Sequence, residues 1–141
     1  MKKTVSLAVA CLIFVVALKA QCDKSVKWNT SKAEFIDTAT GNVAKANNDP
    51  IVLTTDAKTV SIVLKGDHPD SLHGDVTNYV CNWKDKQNGK IIFNSLLTDA
   101  EKTRHATITI EAVDGKITAL LKAEEESTEI KLTIDSFEEA N

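Results

Sequence analysis

The densest group of residues able to do chemistry lies in the segment 67–75, which holds two imidazoles and three carboxylates. Imidazole nitrogens and carboxylate oxygens are ligands of zinc and other divalent metals, so His68, Asp70, His73 and Asp75 are candidate metal ligands. Their spacing matches no established metal motif, and Asp, Pro and Gly are also favoured in polar loops for backbone reasons. We therefore favour a plain loop over a metal site.

No pattern typical of catalysis occurs elsewhere: the chain has no nucleophile elbow, no HExxH and no glycine loop that could cradle phosphate. His105 stands beside Arg104 at the expected start of a strand, where a solvated residue is commoner than a general base. The acidic run Glu124–Glu126 with Glu129 lacks the regular spacing of a calcium loop and fits a solvated turn. We expect no enzyme and no cofactor.

Three cysteines are present, and Cys11 falls within an apolar N-terminal segment, which leaves Cys22 and Cys81 for the rest of the chain. In an oxidising compartment these two can pair, and a bridge closing about 60 residues would contribute roughly 4 kcal/mol in the chain-entropy picture. Lipidation of Cys22 is the alternative, although Lys19 and Gln21 match a lipoprotein signal poorly. Free thiols are the third possibility.

The N-terminus has the layout of a secretory signal: basic Lys2 and Lys3, an uncharged apolar run from Ser6 to Leu18, and a small residue, Ala20, at the expected cleavage site. The apolar run is too short for a transmembrane helix, which needs about 20 residues. We predict a cleaved signal over 1–20 and one domain over 21–141, secreted or periplasmic. Lipidation at Cys22 would instead make it an outer-membrane lipoprotein.

The charge of the exported chain argues against two classes of partner, nucleic acid and anionic lipid. Removal of residues 1–20 lowers the basic count from 17 to 14 against 20 acidic residues, which gives a net charge of about −6. Binding to nucleic acid or to anionic lipid depends largely on clustered Lys and Arg, which this chain lacks. A protein partner is not identifiable from the sequence.

Alternation of apolar and polar residues indicates strands through most of the chain. The expected elements are a short strand at Val26 and Trp28, a long loop over 38–50, and strands over 51–55, 59–65, 76–83, 90–96, 106–112, 116–122 and 130–135. Thr77, Tyr79, Cys81 and Trp83 are expected to share one face. Asn88-Gly89 and Asp114-Gly115 are both expected to form two-residue hairpin turns.

These elements predict an all-β fold, an antiparallel meander of about eight strands. Eight sequential strands can close into an up-and-down barrel with a lipocalin-like architecture, which we prefer over a two-sheet sandwich. The resemblance to lipocalins is one of architecture only. The Gly-x-Trp that usually opens a lipocalin is missing, and Val26-Lys27-Trp28 stands in its place.

A barrel of this size suits a binding protein for a small, partly apolar ligand, and a cavity of about 300 Å³ or more would favour that function. The alternative is a filled sandwich that acts through its surface as an envelope or extracellular interaction module. The inward faces supply the candidate cavity-lining residues Trp28, Tyr79, Trp83, Phe93, Ile108, Ile110 and Ala119.

The two remaining cysteines give a direct test by intact mass. We expect the exported protein to begin at Gln21 or Cys22 and to weigh two hydrogens less than its reduced form, because the two sulfurs pair. A diacylglycerol on Cys22 would contradict the bridge and place the protein on a membrane.

Overall fold

The computed structural model describes residues 22–140, and the predicted signal segment 1–20 lies outside them. The regular elements of this part of the chain are nine strands, and no helix in it is long and apolar enough to span a bilayer. The strands are β1 (Ser25–Asp37), β2 (Val43–Asn47), β3 (Ile51–Thr55), β4 (Thr59–Leu64), β5 (Asp70–Trp83), β6 (Gly89–Thr98), β7 (Thr103–Val113), β8 (Lys116–Ala123) and β9 (Thr128–Ala140).

Eight of these strands form a closed antiparallel barrel, which confirms the preferred fold over the sandwich. Sequential neighbours pair from β3 to β9, and β9 then pairs with β1 along the whole length of both strands. The first half of β1 also pairs with β3, from Val26 to Thr30, whereas its second half pairs with β2. Strand β2 therefore lies outside the barrel, beside the end of β1.

Over most of the length of the barrel strands, the alternation of the sequence places every second residue inside. On β7, for example, Ala106, Ile108, Ile110 and Ala112 are buried while the residues between them face outward or are half-buried. Because a strand places successive side chains on opposite faces, this pattern buries one continuous core. The largest fully buried side chains are Trp28, Phe93, Leu53, Ile91, Ile108, Ile110, Leu132, Val26 and Val60.

Strand β1 is longer than expected, and the predicted 38–50 loop contains β2, so both predictions were wrong. The reason in β1 is an irregularity at Ser31, which has no partner in the β1–β9 ladder. A bulge reverses the inward parity, so that Thr30 and then Ala33 and Phe35 point inward and the simple alternation breaks. Strand β2 is exposed on both faces and therefore carries no alternation.

Strand β5 also differs from the prediction, because it begins at Asp70 and absorbs most of the supposed loop 67–75. The β5–β6 register shifts between Thr77 and Val80, where Asn78 adopts a left-handed φ of 53°. This bulge turns Tyr79, Cys81 and Trp83 inward but leaves Thr77 exposed, so Thr77 does not share their face.

The two predicted hairpin turns behave differently. Asp114 and Gly115 have φ of 51° and 82° and join β7 to β8 as a two-residue turn, as expected. Asn88-Gly89 was expected to do the same and does not, because Gly89 already pairs with Trp83. The connection is instead the loop 84–88, which Asp85 organises by accepting hydrogen bonds from the backbone N–H groups of Gln87 and Asn88.

One end of the barrel is closed by aromatic packing. The Trp28 ring lies 5.7 Å from that of Trp83 and 5.2 Å from that of Phe137, centroid to centroid. The Trp28 indole N–H, buried within this cluster, donates to Thr55 Oγ1 at 3.0 Å. Gly89 is required here because a Cβ at that position would collide with the Trp83 ring.

The predicted disulfide is confirmed: Cys22 and Cys81 are bonded, with their Cα atoms 5.7 Å apart. The bridge ties the segment before β1 to the closed end of the barrel, where the Tyr79 hydroxyl also donates to the Cys22 carbonyl at 3.4 Å. The N-terminal segment is thus held where a free chain end would fray.

Replacement of Cys81 by Ser tests the contribution of the bridge. We expect the free energy of unfolding to fall by about 2 to 5 kcal/mol, because the unfolded chain regains the freedom of the closed loop. Urea unfolding without and with reductant measures this. The Cys22→Ser variant should match Cys81→Ser, and reductant should remove the advantage of the wild type; an equal loss in reductant would point to packing of the sulfur instead.

Candidate functional site

A pocket of about 400 Å³ opens at the end of the barrel opposite the aromatic cluster. The ends of β4, β6 and β8 and the beginnings of β5, β7 and β9 surround it, and the second half of β1 forms one wall. Its lining consists of Phe35, Leu64, Asp70, Leu72, Leu97, Asp99, Arg104, Ala106, Leu121, Ala123, Glu126, Thr128 and Ile130.

Small side chains create this space. Ala106 on β7 and Ala123 on β8 are direct partners across the ladder, so that two neighbouring inward positions both carry only a methyl group. One layer deeper, the partners Ile108 and Leu121 are both buried and fill the barrel. The pocket thus begins where large inward residues give way to alanine.

The wall of the pocket is apolar but incompletely covered. Leu64, Leu72, Ile130 and Phe35 are half-buried and pack against the core at the open end. Lys45 of β2 is the ladder partner of Phe35, and its Nζ lies 5.9 Å from the centroid of the Phe35 ring. Apolar surface left partly in water at the end of a barrel can gain stability when another apolar group covers it.

Three charged side chains form a rim network across the mouth of the pocket: Asp99, Arg104 and Glu126. Arg104 Nη1 donates to Asp99 Oδ2 at 3.0 Å, and Arg104 Nε donates to Glu126 Oε1 at 3.1 Å. The guanidinium therefore joins the β6–β7 loop to the β8–β9 turn. Asp70, on β5, contributes a third carboxylate to the lining, and its Oδ1 accepts the backbone N–H of Ser71.

The loop geometry keeps Asp99 ionised. The backbone N–H groups of Glu101 and Lys102 both donate to Asp99 Oδ1 at 2.7 Å, and Arg104 binds the other oxygen. These hydrogen bonds to the charged form lower the pKa of Asp99 from 3.8 to about 2. The hydrogen bonds of Arg104 to Asp99 and Glu126 raise the pKa of Arg104. The Asp99–Arg104 pair is therefore charged at neutral pH.

The β8–β9 turn is held against β7 by a second pair beside the first. His105 Nδ1 lies 2.6 Å from Glu125 Oε1, and this contact raises the pKa of His105 and lowers that of Glu125. The backbone N–H and hydroxyl of Thr38 also bind the Ser127 carbonyl, which joins the β1–β2 turn to the same place. The acidic residues of this turn thus position the mouth of the pocket.

The cavity-lining candidates from the sequence lie elsewhere. Trp28, Trp83, Phe93, Ile108, Ile110 and Ala119 are buried in the core, and Tyr79 is half-buried beside the disulfide. None of the seven lines the pocket at the open end. These side chains occupy the barrel interior at their level, and the pocket lies beyond them at the open end.

The four candidate metal ligands are not brought together. Asp70 points into the pocket, whereas His73 and Asp75 are exposed in alternate outward positions of β5 and His68 lies in the preceding loop. Among residues 22–140, no group of three or more His, Cys, Asp or Glu side chains is placed to hold a metal ion.

Arg104 is the rim residue that the sequence analysis missed in this role. Extending the inward series Ala106, Ile108 and Ile110 back by two residues reaches Arg104, which is a charged residue on an otherwise apolar face. A charged residue at an inward position indicates that the strand has reached the end of the buried core, where side chains meet water. Asp99 and Glu126 lie in turns, where alternation provides no comparable signal.

Comparison with family models, with curated proteins and with solved structures finds no match to this chain. Inference about function therefore rests on the barrel and its pocket.

The Asp99→Asn variant tests the rim network through its dependence on pH. Because the pKa of Asp99 is lower in the folded chain than its ordinary 3.8, the ionised side chain stabilises the fold above that value. This contribution is lost as the pH falls toward about 2. Urea midpoints should therefore show the variant less stable than the wild type at pH 7, with the two converging between pH 4 and 2.

Glu138→Gln is the matched control, since it removes an exposed carboxylate near the opposite end of β9. It should leave the urea midpoint nearly unchanged at both pH values. A deficit of Asp99→Asn that is the same at pH 2 and at pH 7 would show that its charge does not hold the rim.

Proposed function

We propose that this protein is an exported binding protein for a small, partly apolar ligand, which enters the open end of the barrel. The pocket of about 400 Å³ carries this proposal. Its volume falls within the range of about 300 to 1,000 Å³ of small-molecule sites, and it combines an apolar wall with a few polar groups. A barrel filled along its whole length would offer no such space.

The distribution of polarity supports a binding role. Small-molecule sites use apolar walls for affinity and a small number of placed polar groups for orientation. Here the apolar wall lies below and the polar groups, Asp70, Asp99, Arg104, Glu126 and Thr128, lie together at the mouth. A molecule with an apolar body and one polar end matches this arrangement, and the proposal needs no chemical step.

The export part of the proposal rests on the N-terminal signal pattern and on the disulfide. A bridge between Cys22 and Cys81 is compatible with a periplasmic or extracellular location. The bonded Cys22 sulfur has no valence left for a thioether-linked lipid. We therefore propose a soluble exported protein and not a lipoprotein anchored at Cys22.

Filling the pocket should abolish binding of a neutral apolar probe. In the Ala106→Phe variant a benzyl group replaces the methyl that borders the pocket, so N-phenyl-1-naphthylamine should lose most of its space. Fluorescence titration should show saturable binding of the probe to the wild type. The dissociation constant of the variant should be at least about tenfold higher, which is a loss of about 1.4 kcal/mol or more of binding free energy.

Ala57→Phe is the control, because Ala57 is exposed in the turn between β3 and β4 at the closed end. It adds the same apolar group without touching the pocket and should bind the probe like the wild type. If the wild type does not bind, or if both variants lose binding equally, the proposal fails. Retained circular dichroism shows that Ala106→Phe is still folded.

A further inference from the structure

We propose that the pocket selects a cationic amphiphile, a molecule with an apolar body and a protonated amine head, and discriminates against carboxylates such as fatty acids. This inference rests on the proposed function and adds the chemical class of the ligand. It follows from the charges that the fold places around the mouth of the pocket, and from the partners that each of them already has.

The single cation of the lining is already neutralised. Arg104 is held between the carboxylates of Asp99 and Glu126 at 3.0 and 3.1 Å. Binding an anionic head would require Arg104 to leave one of these partners or the head to lie beside both carboxylates. Either choice costs free energy, because like charges at close range repel and a broken charge-assisted hydrogen bond leaves a charge unpaired.

Asp70 provides the carboxylate that a cationic head can use. It lies at the start of β5, the strand next to β6, and its Oδ1 accepts the backbone N–H of its neighbour Ser71. Within the part of the chain that the structure describes, it forms no ion pair. The lining therefore carries three carboxylates against one guanidinium, a charge of −2 before any ligand binds.

Two lysines lie near the mouth without joining the lining. Lys102 Nζ is 3.8 Å from Glu126 Oε1, and Lys45 Nζ lies over the Phe35 ring. Both lysine side chains are exposed, so water and salt screen their ammonium groups, whereas Asp70 is one of the residues that line the pocket. The field that a head group meets inside the mouth is therefore set mainly by the carboxylates.

The position of the charged residues at the mouth, above an apolar lining, also fits an amphiphile. Below the rim the lining is formed by Leu97, Ala106, Leu121 and Ile130, which offer no polar side chain. An alkyl chain placed among them would leave its head group at the level of Asp70, Asp99 and Glu126. A wholly polar cation would lose its hydration there and gain no apolar contacts with the lining in return. The ligand therefore needs an apolar body as well as a cationic head.

Competition with N-phenyl-1-naphthylamine at pH 7 tests the effect of the head group alone. The three competitors, decylamine, decan-1-ol and decanoate, share a ten-carbon chain and differ in the charge of the head group. We expect decylamine to displace the probe at a concentration at least about tenfold below that of decanoate, with decanol between them. The gap should narrow as salt is raised, because screening weakens the field of the rim.

Two variants assign the preference to named residues. Asp70→Asn should reduce the advantage of decylamine severalfold, while the Asp99→Asn/Glu126→Gln double variant, which releases Arg104, should reverse the order in favour of decanoate. Glu138→Gln removes the same charge near the closed end and should change nothing. Circular dichroism checks the fold of each variant.

The outcomes distinguish the two proposals. If the probe and the three ligands all fail to bind the wild type, the proposed function fails and this inference with it. If the probe binds but decanoate competes as well as decylamine, or if no decyl compound competes, the ligand class is wrong while the pocket stands. Retention of the amine preference in the double variant and in Asp70→Asn would also overturn the inference.

Discussion

The antiparallel pairing of β1 with β9 is the interaction on which the rest of the molecule depends. It runs from Ser25 opposite Ala140 to Asp37 opposite Thr128 and turns a meander into a closed barrel. Without it, both strands would present long unpaired edges, which proteins normally avoid. Because β1 and β9 continue past the start of β3 at Ile51, the barrel wall is taller on this side. The extra height forms one wall of the pocket, and β2 covers the part of β1 that β3 does not reach.

The two ends of the barrel differ in how completely side chains fill the interior. At one end, aromatic rings and the Cys22–Cys81 bridge fill and fasten the interior. At the other, the ladder partners Ala106 and Ala123 leave the interior short of side chains, and charged residues line the mouth without filling it. This division is an economical way to build a site, because a rigid, fully packed end positions the strands that surround an unfilled one.

Much of the fold could be predicted from the sequence because most strands have one buried face. Their alternation indicates strand type, approximate limits and inward residues, and Asp114-Gly115 specifies a turn. Bulges were beyond reach, since Ser31 and Asn78 each reverse the parity that the prediction relies on. The pocket could not be located for a related reason: filled and unfilled levels of a barrel show the same alternation. The difference lies in which small residues face each other, as Ala106 and Ala123 do, and that depends on register.

The position of the pocket on the β1–β9 ladder would couple the binding of a ligand to the integrity of the barrel. Phe35 on β1 and Ile130 on β9 both line the pocket, and they are direct partners across this ladder. A molecule held there would touch both strands of this β1–β9 ladder, which we call the seam, at once. By thermodynamic linkage, its binding free energy would oppose separation of the two strands, and any opening of the seam would release it.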